Sequence, residues 1–413
     1  MSSRLRQSLV HPDRSGILRG LCYSADGRRI FAGHYRSGVV QAWDAVSGRQ
    51  LTTIETGPRN SSSSYFLFSA DGQFLYVDRS KTSLRLVGKD KRLRHWEFSG
   101  GVRSLDMATG KPVRDFSPAP GCGLQSMDLS PNGSTLLTFQ FVSGDYESTA
   151  KSIGILWDAR TGQRRGTLPA NASSRAAFSP DSKTILTDAV NDKDEMTAFL
   201  FLDAGTGEVL RSIPIEQKHL WAYGHTLSPD GKRITCQVGD RATRQYWLKC
   251  WDVESGREIV SFEIEQKFGY VQPIYSPDGR RLLAACYSYQ DRKPILIDMA
   301  KRKIIQRIAV ESGRLWCDSA FSPDGKWLAV ISQDVPKNGS APLMQVENLP
   351  QPHILLVEAA TGEVRETIVA PPGVAVSLCF SPDGKTLASG GDGRVLLWDM
   401  TKLPGAQPNE SGK

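Results

Sequence analysis

The sequence predicts an all-β chain built from eight repeated four-stranded units that close on themselves. Three observations carry this expectation. A turn phrase, Ser-Pro-Asp-Gly or a near copy, recurs eight times along the 413 residues. An apolar-plus-acid pair follows every copy of the turn, in strict alternation. A strand-like segment, residues 4–10, stands alone ahead of the first copy, while the last copy ends one strand short.

The copy at residues 374–399 is the plainest. Val374, Val376, Leu378 and Phe380 alternate with Ala375, Ser377 and Cys379, the period-2 pattern of a strand. Ser381-Pro382-Asp383-Gly384 then suits a tight turn, with proline pre-setting φ and glycine accepting the left-handed region. A second strand at residues 386–389 reaches the glycine-rich turn Gly390-Gly391-Asp392-Gly393, and a third ends in Trp398-Asp399. The eight turns begin at Ser24, Ser69, Ser130, Ser179, Ser228, Ser276, Ser322 and Ser381. The eight closures are Trp43-Asp44, Leu105-Asp106, Trp157-Asp158, Leu202-Asp203, Trp251-Asp252, Ile297-Asp298, Val357-Glu358 and Trp398-Asp399.

This pattern resembles the WD-repeat family of β-propellers across nearly the whole chain. The resemblance implies one closed propeller over residues 1–403 with eight four-stranded blades, seven being the alternative, and a disordered tail at 404–413. Strict members carry a Gly-His pair before the first strand of each blade, completing a tetrad with a Ser or Thr, an Asp and the Trp. Here the last copy supplies Ser389, Asp392 and Trp398 but has Pro371-Pro372 where the histidine belongs. His11 and His225 are the remnants, and His225 stands too close to its turn.

Successive turn serines are 45, 61, 49, 49, 48, 46 and 59 residues apart, against roughly 40–45 for this repeat type. The extra length falls mainly in copies two and seven. Within each copy the strands are a (before the Ser-Pro-Asp-Gly turn), b, c (ending in the acid pair) and d. The a–b turn is short, and so is the c–d turn, which often closes on Thr/Ser-Gly, as at Thr161-Gly162. The acid of each closing pair is expected to accept backbone amides in that c–d turn. Insertions lie only in b–c and d–a connections, which emerge on one face of the disc; insertions gathered on one face of a repeat fold mark the binding face. The N-terminal segment resembles a d strand and is expected to complete the last blade.

Net charge is +7 with a pI near 9.0, which keeps nucleic acid or an acidic protein in play without selecting either. Seven scattered cysteines lack any Cys-x-x-Cys pair and read as reduced core residues. The N-terminus lacks an apolar leader and no run approaches a membrane span, so a cytoplasmic protein is expected; it is also expected to be a monomer.

Candidate chemistry is sparse. Gly384-Lys385-Thr386 mimics the end of a phosphate loop, but Cys379 stands where that loop needs glycine and no helix follows. His219 and His225 have no third ligand at metal-site spacing. No catalytic, cofactor or metal residue is assigned. The candidate partner-binding residues are Arg85, Lys89, Lys91, Arg92, Arg94 and Trp96 in the copy-two insertion, with Trp221, Tyr270 and Trp316 at the starts of a strands. The insertion carries six basic residues against Asp90 and Glu97 and reads as a hairpin. It is either a basic arm whose His95, Trp96 and Phe98 stack on nucleic acid, or a solvated hairpin whose aromatics pack on the neighbouring blade. Trp221 lies seven residues before its turn serine, whereas Tyr270 and Trp316 lie six before theirs, so the three share a face only if copy five is bulged.

The expected function is a non-catalytic platform that binds a protein on the loop-bearing face. A nucleic-acid-binding propeller using residues 81–98 is the first alternative, and a propeller enzyme of lactonase or quinoprotein type the second.

Overall fold

A computed structural model describes residues 4–10, 18–34, 39–55, 66–69, 71–79, 81–87, 93–117, 122–142, 152–193, 195–215, 220–240, 242–264, 270–287, 293–308, 314–334, 351–371, 375, 377–391 and 393–403. Among these residues there are eight four-stranded sheets and one two-stranded ribbon, all antiparallel and ordered a-b-c-d within each copy. No helix is long and apolar enough to cross a membrane.

The a strands are Leu18–Tyr23, Phe66–Phe68, Cys122–Leu129, Ala172–Phe178, Leu220–Leu227, Tyr270–Tyr275, Arg314–Phe321 and Ser377–Phe380. Those of blades three to six contact one another in turn, as do those of blades seven, eight and one, so the a strands form the inner ring. The ring is closed as expected. Leu5–Val10 pairs with Arg394–Asp399 as the outer strand of blade eight. Each of the seven c–d pairs formed within a copy carries a register shift near its start, and the N-terminal strand repeats it in the eighth blade, between Leu5 and Gln7. Such bulges twist an outer edge away from further pairing.

The core is divided into eight apolar wedges, one between each pair of successive sheets. The closing wedge joins Leu9, Leu18, Leu21 and Trp43 to Ala388, Val395 and Leu397. No blade buries both faces alone, which is why the array folds as one unit.

The turn phrase has a local cause. Each turn serine accepts the backbone N–H five residues on, as Ser228 does from Arg233 at 3.0 Å, and donates to the acid two residues on, as to Asp230 at 2.5 Å. That carboxylate also accepts the N–H of Lys232. Asn132 fills the acid's place in copy three. The closing acids accept turn amides as expected, as Asp44 does from Ser47 at 2.7 Å. Glu358 departs from this pattern: its longer side chain takes the Thr361 hydroxyl and Arg365 instead. Part of the family tetrad is present, since Trp398 Nε1 donates to Ser389 Oγ at 2.8 Å. Asp392 lies outside the described residues, as do most of the copy-three and copy-seven insertions and the tail at 404–413.

Candidate interaction site

Bulges in the inner strands build the site. Strand a of blade four (Ala172–Phe178) loses register against strand b (Thr184–Val190) between Ala172 and Ala176. Side chains of strands a and b hold the bulge. Thr187 Oγ1 donates to Arg175 O at 2.9 Å, and Ser173 Oγ donates to Asp188 Oδ1 at 2.5 Å. With its backbone fixed in this way, Arg175 crosses to blade five. Its Nη1 donates to Ala222 O at 2.9 Å, and its guanidinium stands 3.8 Å from the centre of the Tyr223 ring, within cation–π range.

Strand a of blade five (Leu220–Leu227) is bulged between Tyr223 and Thr226. Gly224 sits there at φ +60°, and a Cβ on it would come 2.8 Å from Val271 O of blade six. Only glycine fits so close an approach. Nearer the channel mouth, Trp221 lies directly opposite Gly239, which lies opposite Tyr246. A Cβ on Gly239 would fall 2.4 Å from the Trp221 ring, so the glycine leaves the space that the indole fills. Trp221 meets Tyr223 edge-on at 4.6 Å between centroids and Tyr246 edge-on at 5.6 Å. All three aromatics and Arg175 are half-buried. The result is a fixed aromatic patch with a guanidinium beside it.

Beneath the patch is a polar contact between blades. His225 is buried with Nδ1 3.4 Å from Asp188 Oδ1. Burial pushes its pKa down, against the pull of Asp188, so the imidazole is neutral. His225 stands three residues before its turn serine, where Leu21 and Phe66 stand in two other blades. The preceding blade adjusts to each. Gly33 lies under Phe66, where a Cβ would come 2.0 Å from the ring; Gly390 lies under Leu21; and Asp188 faces His225. One pair of positions is thus filled as small-on-large or as acid-on-imidazole. His225 is structural, and His219 lies outside the described residues.

The structure separates the sequence candidates. Trp221 lies in the patch. Copy five does carry the bulge that a shared orientation requires, and it brings Trp221 into the register of Tyr270, since their partners Gly239 and Tyr287 each follow the turn serine by eleven residues. Trp316 is out of step. Strand a of blade seven is also bulged, between Trp316 and Ser319, so Trp316 pairs with Ser332, only ten residues after its serine.

The copy-two insertion is a hairpin as expected, Lys81–Val87 pairing with Leu93–Ser99. Its register opposes Leu84 to Trp96, Leu86 to Arg94 and Thr82 to Phe98, and opposes Arg85 to His95. The second strand of the ribbon runs beside the inner strand of blade three. Lys89, Lys91 and Arg92 lie outside the described residues. The sequence reading missed Arg175, Tyr223, Gly239 and Tyr246.

Among the described residues no group of three or more His, Cys, Asp and Glu could hold a metal. Two inner-strand acids are instead inter-blade ties. Asp318 accepts Leu378 N at 2.8 Å and Asp128 accepts the N–H of Phe178, and burial pushes both carboxyls up to about 6. They belong to blades seven and three, on opposite sides of the ring.

Comparison with known proteins agrees with this architecture. The model of the WD domain, G-beta repeat, matches residues 366–399. An uncharacterized WD repeat-containing protein of Synechocystis sp. is 28% identical over 128 residues, a stretch covering 30% of this chain and 30% of that protein. With the eight blades, the closing Trp-Asp pairs and the Trp398–Ser389 bond, the chain is an eight-bladed β-propeller that is similar to WD-repeat proteins and carries a match to that repeat in its last blade.

Proposed function

We propose that the chain is a non-catalytic protein-interaction platform, and that its partner docks across the channel mouth at blades four and five, on the face bearing the b–c and d–a loops. The observation that carries this reading is the half-exposed set Trp221, Tyr223, Tyr246 and Arg175. Trp, Tyr and Arg dominate interface hot spots because they bury large rigid surface while keeping a polar handle. Here they are fixed by Gly239 and the two bulges before any partner arrives, which lowers the ordering cost of binding. On the opposite face, the turn serines and aspartates satisfy one another and offer little relief. WD-repeat propellers commonly serve protein interaction, and the reading specialises that role to one patch.

The test is capture from the native lysate with three baits. The wild type and a plain-face variant, Lys183→Ser with Lys232→Ser, should retain the same protein, and Trp221→Ala with Tyr246→Ala should lose it. Loss with the plain-face variant and retention with the aromatic one would contradict the proposal.

A further inference from the structure

Resting on that reading, the geometry points to the chemistry of the partner: we propose that the patch receives a carboxylate, an Asp or Glu side chain in an acidic segment of the partner protein, on Arg175.

Among the described residues, Arg175 lacks the counter-charge that other arginines of this chain have. Arg4, Arg103, Arg165, Arg281 and Arg365 each meet a carboxylate. Arg175 is half-buried on the inner ring, yet among the described residues no carboxylate lies within ion-pair distance. Among the described residues its guanidinium makes one hydrogen bond, from Nη1 to Ala222 O, and the Tyr223 ring lies 3.8 Å away. The nearby acid is already used, since Asp188 accepts from Ser173 and faces His225. A guanidinium offers five N–H donors in a planar fork that matches a carboxylate with two parallel bonds. One donor is spent on Ala222, which fixes the head group and leaves the rest for a ligand. Partly withdrawn from water, such a cation gains more from a counter-charge than a fully exposed one does. The neighbouring Trp221 face accommodates an apolar residue of the same segment. The overall charge of +7 attracts an acidic partner at long range.

The test uses a random peptide library displayed on phage and selected against the full chain. Enriched peptides should carry Asp or Glu at one fixed position beside an apolar residue. As synthetic peptides they should weaken at least tenfold when that acid becomes Asn or Gln. The same peptides should weaken at least tenfold on Arg175→Gln, with less loss on Arg175→Lys, and on Arg175→Gln the acid-to-amide change should have no further effect. A circular dichroism melt checks that both variants fold. Peptides that lose binding to Trp221→Ala but bind Arg175→Gln undiminished would overturn the carboxylate proposal and leave the docking patch standing. Peptides indifferent to both variants, or a selection returning no binders, would count against both.

Discussion

Gln7, on the N-terminal strand, is fastened to the turn at Gly48 in the first blade. Its Nε2 donates to Ser47 O at 2.8 Å, and a Cβ on Gly48 would fall 1.6 Å from that nitrogen. The same arrangement recurs round the ring, where a turn glycine of one blade lies beside a d-strand residue of the blade before: Gly110 by Ile54, Gly162 by Arg114, Gly256 by Ile213 and Gly362 by Gln306. The first residues of the chain thus complete the last blade and grip the first. Arg4 adds an ion pair to Glu366 of blade seven at 2.6 Å.

Deleting residues 1–10 should therefore cost more than about 3 kcal/mol, from the burial of Leu9 and the lost Arg4 contacts, and should promote aggregation through the bared edge. Deleting 404–413 should leave the melting temperature unchanged. Equal melting temperatures for the two truncations would contradict the closure.

The two buried acids predict an unusual pH response. Because Asp128 and Asp318 are pushed up to about 6, the folded chain holds protons between about pH 4 and pH 6 that the unfolded chain releases. Their contribution to stability therefore falls as pH rises through that window. The turn aspartates act oppositely: Asp158, held down to about 2 by the Thr161 N–H and Arg165 against the cost of its burial, contributes above pH 4 and is lost as pH falls toward 2. Asp128→Asn and Asp318→Asn should stabilise the chain at pH 7, on the order of 2 kcal/mol per site, and that advantage should shrink steadily down to pH 4.5. Denaturant titrations at the two pH values measure it. An advantage that stays constant would contradict the assignment.

Gly239→Ala should displace the Trp221 ring with little effect on the backbone, since Gly239 does not adopt the left-handed conformation. The expected result is altered tryptophan emission and at least tenfold weaker partner binding, with a stability loss of about 1 kcal/mol. Unchanged binding would mean that the indole's position is irrelevant.

The ribbon of Lys81–Val87 and Leu93–Ser99 pairs Leu84 with Trp96 and Arg85 with His95. The intact protein is expected to bind a mixed-sequence single-stranded DNA no tighter than micromolar at physiological salt. Tight binding that weakens steeply with salt, and disappears when Lys89, Lys91, Arg92 and Arg94 become serine, would restore the nucleic-acid reading.

The parts legible in the sequence are those whose causes lie within a few residues. Ser228 finds Asp230 and Arg233 by local hydrogen bonds, and Asp44 finds Ser47 in the same way, so the turns and strand order could be read directly. The patch could not be. Counting back from the turn serine places Tyr270 correctly because its ladder is unbroken, but it misplaces Trp221 and Trp316, whose strands are bulged. The bulges that build the patch, in blades four and five, depend on side chains of another strand and on the approach of the next blade, as Thr187 holds Arg175 and Val271 crowds Gly224. A glycine in mid-strand at Gly224, and another at Gly239 across from Trp221, were the available signals.

Hydrogen exchange on the captured complex tests the central claim most directly. Protection should concentrate in Leu220–Leu227, in Tyr246–Asp252 and around Arg175 in Ala172–Phe178, with the Ser-Pro-Asp-Gly and Thr-Gly turns unchanged. Protection confined to those turns, with Trp221 and its neighbours exchanging as in the free protein, would contradict the account.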